Sequence, residues 1–207
     1  MLETIEIEHF KKMFDVAFVE VQKNEKHFSQ MDAQTGDGDH GTAIVTALKA
    51  VNNSMKQAND LKVMFTDAGF AAMSEASGST STLIGALLMG MSDGVEDENI
   101  DTKGVVNIFK AGLENAQKQT KAQVGDKTLM DALIPAVQAL ESNQNNSIET
   151  MFEAAAKAAE DGAEKTKEMV AKFGRARNLG EKVVGFIDPG AASMACIFGA
   201  FYSSLSV

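Results

Sequence analysis

The sequence predicts an all-α protein, an antiparallel bundle of about eight helices. Three observations carry this: apolar residues recur every three or four positions along nearly the whole chain, no run alternates with the period of two that a half-buried strand shows, and the connections between periodic segments are short and polar. Short connections make successive helices antiparallel neighbours.

The stripes run in order. Ile7, Phe10, Phe14, Phe18 and Val21 mark the first, and Ile44, Leu48, Val51 and Met55 the second. Leu61, Met64, Phe65 and Ala68 follow, then Leu83, Leu87 and Met91, then Val106, Phe109 and Leu113. Leu133, Val137 and Leu140 make a sixth stripe, Phe152, Ala156, Ala159 and Ala163 a seventh, and Met194, Phe198, Phe201 and Leu205 the last. Connections such as Asn52–Asp60 and Ser142–Ser147 are polar, and no linker, internal repeat or low-complexity segment divides the 207 residues, so one domain spanning 1–207 is expected. Thr128–Asp131 fits a capping box, and Asp188-Pro189 places an N-cap before a proline at the first helical position. Pro135 falls within the sixth stripe, where a missing N–H and a ring clash kink or restart a helix. Residues 153–172, rich in Ala, Lys and Glu, read as one long helix with a small-residue face.

Composition narrows the function. With 44% hydrophobic and 23% charged residues the chain can bury a core, and a net charge of −10 repels nucleic acid and anionic membrane surfaces. The N-terminus lacks a signal-peptide pattern and no stretch has membrane-spanning length, so a cytoplasmic protein is expected. The single cysteine, Cys196, excludes an internal disulfide and reads as a structural thiol in an apolar run.

The chemistry concentrates between Asp32 and Gly41, where Asp32, Asp37 and Asp39 are separated by glycines. Three converging carboxylates need a cation, and an all-oxygen ligand set points to magnesium or calcium rather than zinc. An EF-hand is excluded because neither register supplies its ligand positions together with its glycine and final glutamate. Gly36-x-Gly38-x-x-Gly41 is formally a dinucleotide loop, yet no strand precedes it and its aspartates repel a pyrophosphate unless metal intervenes. Metal-bridged phosphate binding meets both objections, and the helix starting near His40 aims the N–H groups of Gly41, Thr42 and Ala43 at the same place. The competing reading is a surface turn whose aspartates merely cap that helix.

Other segments are weaker singly. Ala76–Thr82 is rich in small hydroxyl residues that wrap a phosphate or simply cap a helix. Gly125–Asp131 and Gly174–Gly180 are Gly-flanked loops, and in so acidic a chain Arg175 offers a planar donor to phosphate, against the alternative of a solvated loop cation. His40 is placed to position a phosphate, whereas His9 and His27 read as surface residues. Walker A, H-E-x-x-H and G-x-S-x-G patterns are absent, and no nucleophile or catalytic residue stands out, which suits phosphoryl transfer by positioning and charge neutralisation.

Taken together and in order, Asp32-x4-Asp37-x-Asp39-His40-Gly41, Ser77-Gly78, Gly125-Asp126-Lys127-Thr128, Gly174-Arg175-Ala176 with Leu179-Gly180, and Asp188-Pro189-Gly190 resemble the ADP-binding L subunits (DhaL) of bacterial dihydroxyacetone kinases and the L domains of ATP-dependent kinases. The resemblance spans almost the whole chain. It implies a closed antiparallel eight-helix barrel with Mg-ADP held by loops at one end. It implies that Asp32, Asp37 and Asp39 bind two magnesium ions. It further implies that His40, Gly41, Thr42, Ala43, Ser77 and Gly78 contact the phosphates, with Thr128, Leu129, Arg175, Asp188, Pro189 and Gly190 completing the nucleotide site.

In phosphotransferase-dependent members, ADP or ATP is a resident cofactor: a histidine of an M phosphocarrier subunit phosphorylates ADP in place, and the phosphoryl group passes to dihydroxyacetone held covalently on a K subunit. The 207-residue length leans the expectation toward this arrangement. The alternatives are the L partner of an ATP-dependent kinase for dihydroxyacetone or erythrulose, and a non-enzymatic helical protein that binds a divalent metal. A homodimer is left open. The chain departs from the family pattern at Ser74-Glu75 and Ser79-Thr80, on either side of Ala76-Ser77-Gly78.

Overall fold

A computed structural model describes residues 2–76 and 78–205. Eight long helices correspond to the eight stripes: α1 (Ile7–Lys23), α3 (His40–Met55), α4 (Leu61–Glu75), α5 (Ser79–Asp93), α6 (Thr102–Gln117), α7 (Met130–Ser142), α8 (Ile148–Lys165) and α9 (Pro189–Leu205). A shorter helix, α2 (Glu25–Asp32), adds to these, and among the described residues the only strand-like pairing is one antiparallel bridge between Ile5 and Ile100.

The long helices form a closed ring. Each packs on the next, from α3 through α4, α5, α6, α7 and α8 to α9, and α1 lies between α9 and α3, so the ring has no open edge; α2 lies against α3 and α9. Glycines set the closest spacing. A Cβ on Gly69 of α4 would meet the Gly85 carbonyl of α5 at 2.8 Å, and one on Gly90 of α5 would meet the Ala111 carbonyl of α6 at 2.5 Å. Backbone-to-backbone approach of this kind is open only to residues without a Cβ, and it brings α4, α5 and α6 close together. Inside, Phe14, Phe109, Phe152, Phe198 and Phe201 meet edge to face or tilted, with ring centroids 5.0–6.3 Å apart. Such geometry adds to the stabilisation from burial, about 1 kcal/mol per pair.

Local signals place the helix ends. Asp60, Asp101 and Ser147 cap α4, α6 and α8 through side-chain oxygens that accept from Val63, Gly104 and Thr150 N–H. Asp188 does the same for α9, accepting from Ala191 N–H at 2.8 Å with Pro189 as first helical residue. The expected capping box at Thr128 forms by half: Asp131 Oδ2 accepts the Thr128 N–H at 2.7 Å, but Thr128 Oγ1 turns to Met130 N–H at 3.2 Å because α7 begins one residue later.

Two expectations are corrected. Pro135 neither restarts nor ends α7, which runs continuously through it. The Asp131 carbonyl that loses a donor there faces Gly162 of α8, where a Cβ would sit 2.0 Å from the oxygen. The helix predicted over 153–172 ends at Lys165 and gives way to a 3-10 turn, Thr166–Glu168. The cause is Thr166, fully buried, whose hydroxyl donates to the Ala163 carbonyl and accepts the Asp188 N–H while its own carbonyl is taken by Lys127 Nζ. Among the described residues no helix is long and apolar enough to cross a membrane.

Candidate nucleotide and metal site

In a ring of alternating helices every second connection emerges at the same end. The α2–α3, α4–α5, α6–α7 and α8–α9 connections are the four that hold the singled-out motifs. They meet around a cavity of about 440 Å³, a size typical of small-ligand sites.

One rim is acidic. Asp32, at the end of α2, and Asp37 and Asp39, in the loop before α3, present carboxylate oxygens that all lie within 4.8 Å of one another. The loop is built to hold them. Asp32 Oδ2 accepts the Gly38 N–H at 2.9 Å and the His40 N–H at 3.3 Å, and Gly38 takes a φ of 82° that favours glycine. A Cβ on Gly36 would collide with Asp32 Oδ1 at 2.3 Å, so glycine there is a steric requirement. Burial, then the charges of Asp37 and Asp39's other neighbour Asp32, lift the Asp39 carboxyl above its usual range. Arg175 answers part of this charge through an ion pair from Nη1 to Asp37 Oδ2.

The floor is drawn from α9 and the turn before α7. His40 is 7% exposed, and burial lowers its pKa against the pull of Asp32, so the ring is neutral near pH 7. Its Nε2 lies 2.9 Å from Ser193 Oγ, which donates to the Gly190 carbonyl at 3.0 Å; the imidazole is thereby fixed between α3 and α9. Asp188 is driven up to about 7, first by burial and then by Asp131, with Lys127 and the Ala191 N–H opposing. Lys127 is 2% exposed and its amine is pushed down by burial, with Asp188 and Asp131 resisting. Leu83, Ala122, Leu129, Met130 and Phe173 supply an apolar wall.

Of the residues singled out in the sequence, Asp32, Asp37, Asp39, His40, Thr128, Leu129, Arg175, Asp188, Pro189 and Gly190 all line this cavity. Gly41, Thr42, Ala43 and Gly78 do not. Gly41 instead packs on α2, where a Cβ would lie 2.0 Å from the Glu25 carbonyl; Thr42 Oγ1 donates to Glu25 at 3.2 Å; and the Ala43 N–H closes the first helical turn on the Asp39 carbonyl at 3.0 Å. Ser77 lies outside the described residues. The hydroxyl-rich segment reaches the cavity through Ser79, Thr80 and Thr82 instead. Sequence reasoning missed Lys127, Ser193 and Phe173; only the position of Lys127 inside a quoted motif and of Phe173 beside Gly174 hinted at them. Cys196 is half-buried, with its thiol pushed up to about 11 by burial, which makes it unreactive.

Comparison with known proteins agrees with this geometry. The DAK2 domain matches residues 34–203. The ADP-binding subunit DhaL of PEP-dependent dihydroxyacetone kinase 1 from Listeria innocua is 36% identical over 182 residues, covering 87% of each chain. The L-erythrulose 1-kinase of Mycolicibacterium smegmatis is 34% identical over 188 residues, which is 88% of this chain but 33% of that longer one. Among solved structures, the dihydroxyacetone kinase of C. freundii in complex with AMP-PNP and Mg2+ superposes with a TM-score of 0.76 at 25% identity, over 99% of this chain and 35% of that one. With the matched domain covering most of its length and a relative of this identity covering nearly all of it, the chain belongs to the DAK2-domain family, which includes the DhaL subunits of dihydroxyacetone kinases.

Proposed function

We propose that the chain is the nucleotide-holding L subunit of a dihydroxyacetone kinase, a single domain that keeps ADP or ATP in the 440 Å³ cavity through divalent cations gathered by Asp32, Asp37 and Asp39. The observation that carries the reading is the convergence of three carboxylates on the rim of a cavity that Leu83, Leu129, Met130 and Phe173 also line. The donor set fits magnesium, because all three ligands are oxygens, their mutual repulsion calls for a cation, and magnesium fills its remaining positions with water and phosphate. Magnesium bound there supplies charge neutralisation for phosphate oxygens. We infer two ions, since three carboxylates and a diphosphate offer more ligands than one octahedral ion uses.

The chain's own residues then divide the work. Leu83, Leu129 and Phe173 take the base out of water; Thr80, Thr128 and the Gly190 N–H at the start of α9 donate to phosphate oxygens; Arg175, held over the rim by its loop, presents a guanidinium to the transferring group. None of these is a nucleophile. The chain positions a nucleotide, and both the phosphoryl donor and the sugar come from outside: an M phosphocarrier histidine that recharges ADP in place, and a K subunit carrying dihydroxyacetone. This assignment rests on the likeness to the PEP-dependent DhaL. The near-equal likeness to an erythrulose kinase supports a second reading, in which the L fold works with an ATP-dependent ketose kinase and its nucleotide exchanges. A cytoplasmic site of action is part of the proposal, in keeping with a lone cysteine and an acidic, reducing-compartment composition.

Native mass spectrometry after extensive dialysis against magnesium buffer tests the reading. The expected result is one ADP with bound magnesium per chain, and no phosphorylation of dihydroxyacetone from ATP until a K subunit is added. Loss of nucleotide on dialysis with retained rapid binding of ATP selects the second reading. A chain that binds neither nucleotide sinks both.

A further inference from the structure

Arg175 sits on a strap, residues 167–185, that crosses the mouth of the cavity between α8 and α9. Its side chain is 69% exposed, and between 173 and 186 only Val183 is buried, so packing alone does little to fix the guanidinium. The strap's two ends are instead drawn to a single buried amine. Lys127 Nζ donates to the Thr166 carbonyl, where the strap begins, and to the Phe186 carbonyl, where it ends. Near these bonds the Gly185 N–H donates to the Lys167 carbonyl at 2.7 Å and the Asp188 N–H to Thr166 Oγ1 at 2.8 Å.

Two features show that this lysine is held in place at a cost. Burying an ammonium is unfavourable unless it is paired and hydrogen-bonded. Moreover, among the described residues Lys127 is the one non-glycine with a positive φ, 59°, a conformation that costs an L-residue about 1 kcal/mol or more. Lys127 lines the cavity, yet two of its three N–H bonds are spent on backbone carbonyls, which leaves at most one for a ligand.

We propose that Lys127 is a positioning residue, clamping the two ends of the 167–185 strap together and thereby setting where Arg175 stands over the acidic rim. The clamp is made by the chain's own groups. Its consequence for ligand binding rests on the function proposed above.

The experiment has two arms. Hydrogen exchange by mass spectrometry on nucleotide-free Lys127→Met should show peptides from 167–187 exchanging roughly tenfold faster or more, since two charge-assisted hydrogen bonds are lost, with α1 and α6 protected as before. Unchanged strap exchange overturns the clamp. In the second arm, Mg-ADP affinity is measured in a double-mutant cycle: Lys127→Met weakens binding roughly tenfold in the parent and by less than about twofold in an Arg175→Ala background, since a residue acting through Arg175 has nothing left to position. Additive losses overturn the positioning role, because a direct phosphate ligand or a purely structural lysine gives additivity. If Lys127→Met does not fold, selectively 15N-lysine-labelled parent protein decides by nuclear magnetic resonance: one ammonium should keep slowly exchanging protons, and uniformly fast exchange refutes the clamp. Faster strap exchange in a chain whose parent binds no Mg-ADP upholds the clamp and overturns the function.

Discussion

Asp188→Asn should remove a pH dependence of stability that the structure assigns to one carboxyl. In the folded chain, stripped of nucleotide and divalent ions with EDTA, burial raises Asp188 to about 7, against about 3.9 for an aspartate in an unfolded chain. The folded state therefore holds a proton that the unfolded state has lost throughout the window between those values. Stability contributed by the protonated form is fully present below pH 4 and is lost as pH rises through 7. A difference of about three pH units corresponds to about 4 kcal/mol, an upper figure because relaxation and water entry reduce it. Asparagine keeps an oxygen to accept the Ala191 N–H, so the α9 cap survives and only the titration goes. Urea unfolding at pH 5, 6, 7 and 8 should show the parent losing about 2–3 kcal/mol more than Asp188→Asn across that range, the rest of the difference lying below pH 5. Taking the difference between the two proteins cancels the opposing contribution of Asp126, whose carboxyl is lowered by its hydrogen bond from Lys172. Parallel curves, within about 0.5 kcal/mol, would show that Asp188 is ionised and solvated in the folded chain.

Asp37→Asn should weaken Mg-ADP binding by about tenfold or more in isothermal titration, because the rim loses one anionic ligand while Arg175 loses its partner. The same variant without metal should be as stable as the parent or slightly more so, relieved of repulsion worth about 1 kcal/mol per exposed pair in water. Gly41→Ala should lower the melting temperature by several degrees, as a Cβ 2.0 Å from the Glu25 carbonyl forces α2 and α3 apart at a cost of about 1–3 kcal/mol. Gly199→Ala, at a mid-helix site with nothing within 4 Å, should raise it slightly through helix propensity, about 0.5–1 kcal/mol, and calorimetry of the pair tests whether contact or propensity decides.

How much was legible before folding can be judged from single elements. The eight stripes became eight long helices because each buries a continuous apolar face of at least three turns, a signal that survives in one dimension. The helix α2 was missed since it has eight residues and buries only Phe28, too little for a period to show. Asp32, Asp37 and Asp39 were legible as a cluster because the glycines between them make convergence a local matter. Gly41 was not: its role is steric and depends on Glu25 and Ser29 of another helix. Lys127 lay in a recognised motif, yet nothing in Gly125-Asp126-Lys127-Thr128 says that its amine is 2% exposed and bonded to carbonyls 39 and 59 residues away.

By itself the sequence determined the helical class, the four motif-bearing loops and the Asp32–Asp37–Asp39 carboxylate cluster, since periodicity, glycine spacing and residue type are properties of neighbouring residues. Family resemblance implied a closed barrel with its site at one end, but only the tertiary structure decided that α1 closes the ring between α9 and α3, which residues of the four loops line the mouth, and that burial shifts Asp188 up and Lys127 down on its floor. Those outcomes depend on contacts between residues far apart in the chain, where burial and the low dielectric it brings set both geometry and protonation.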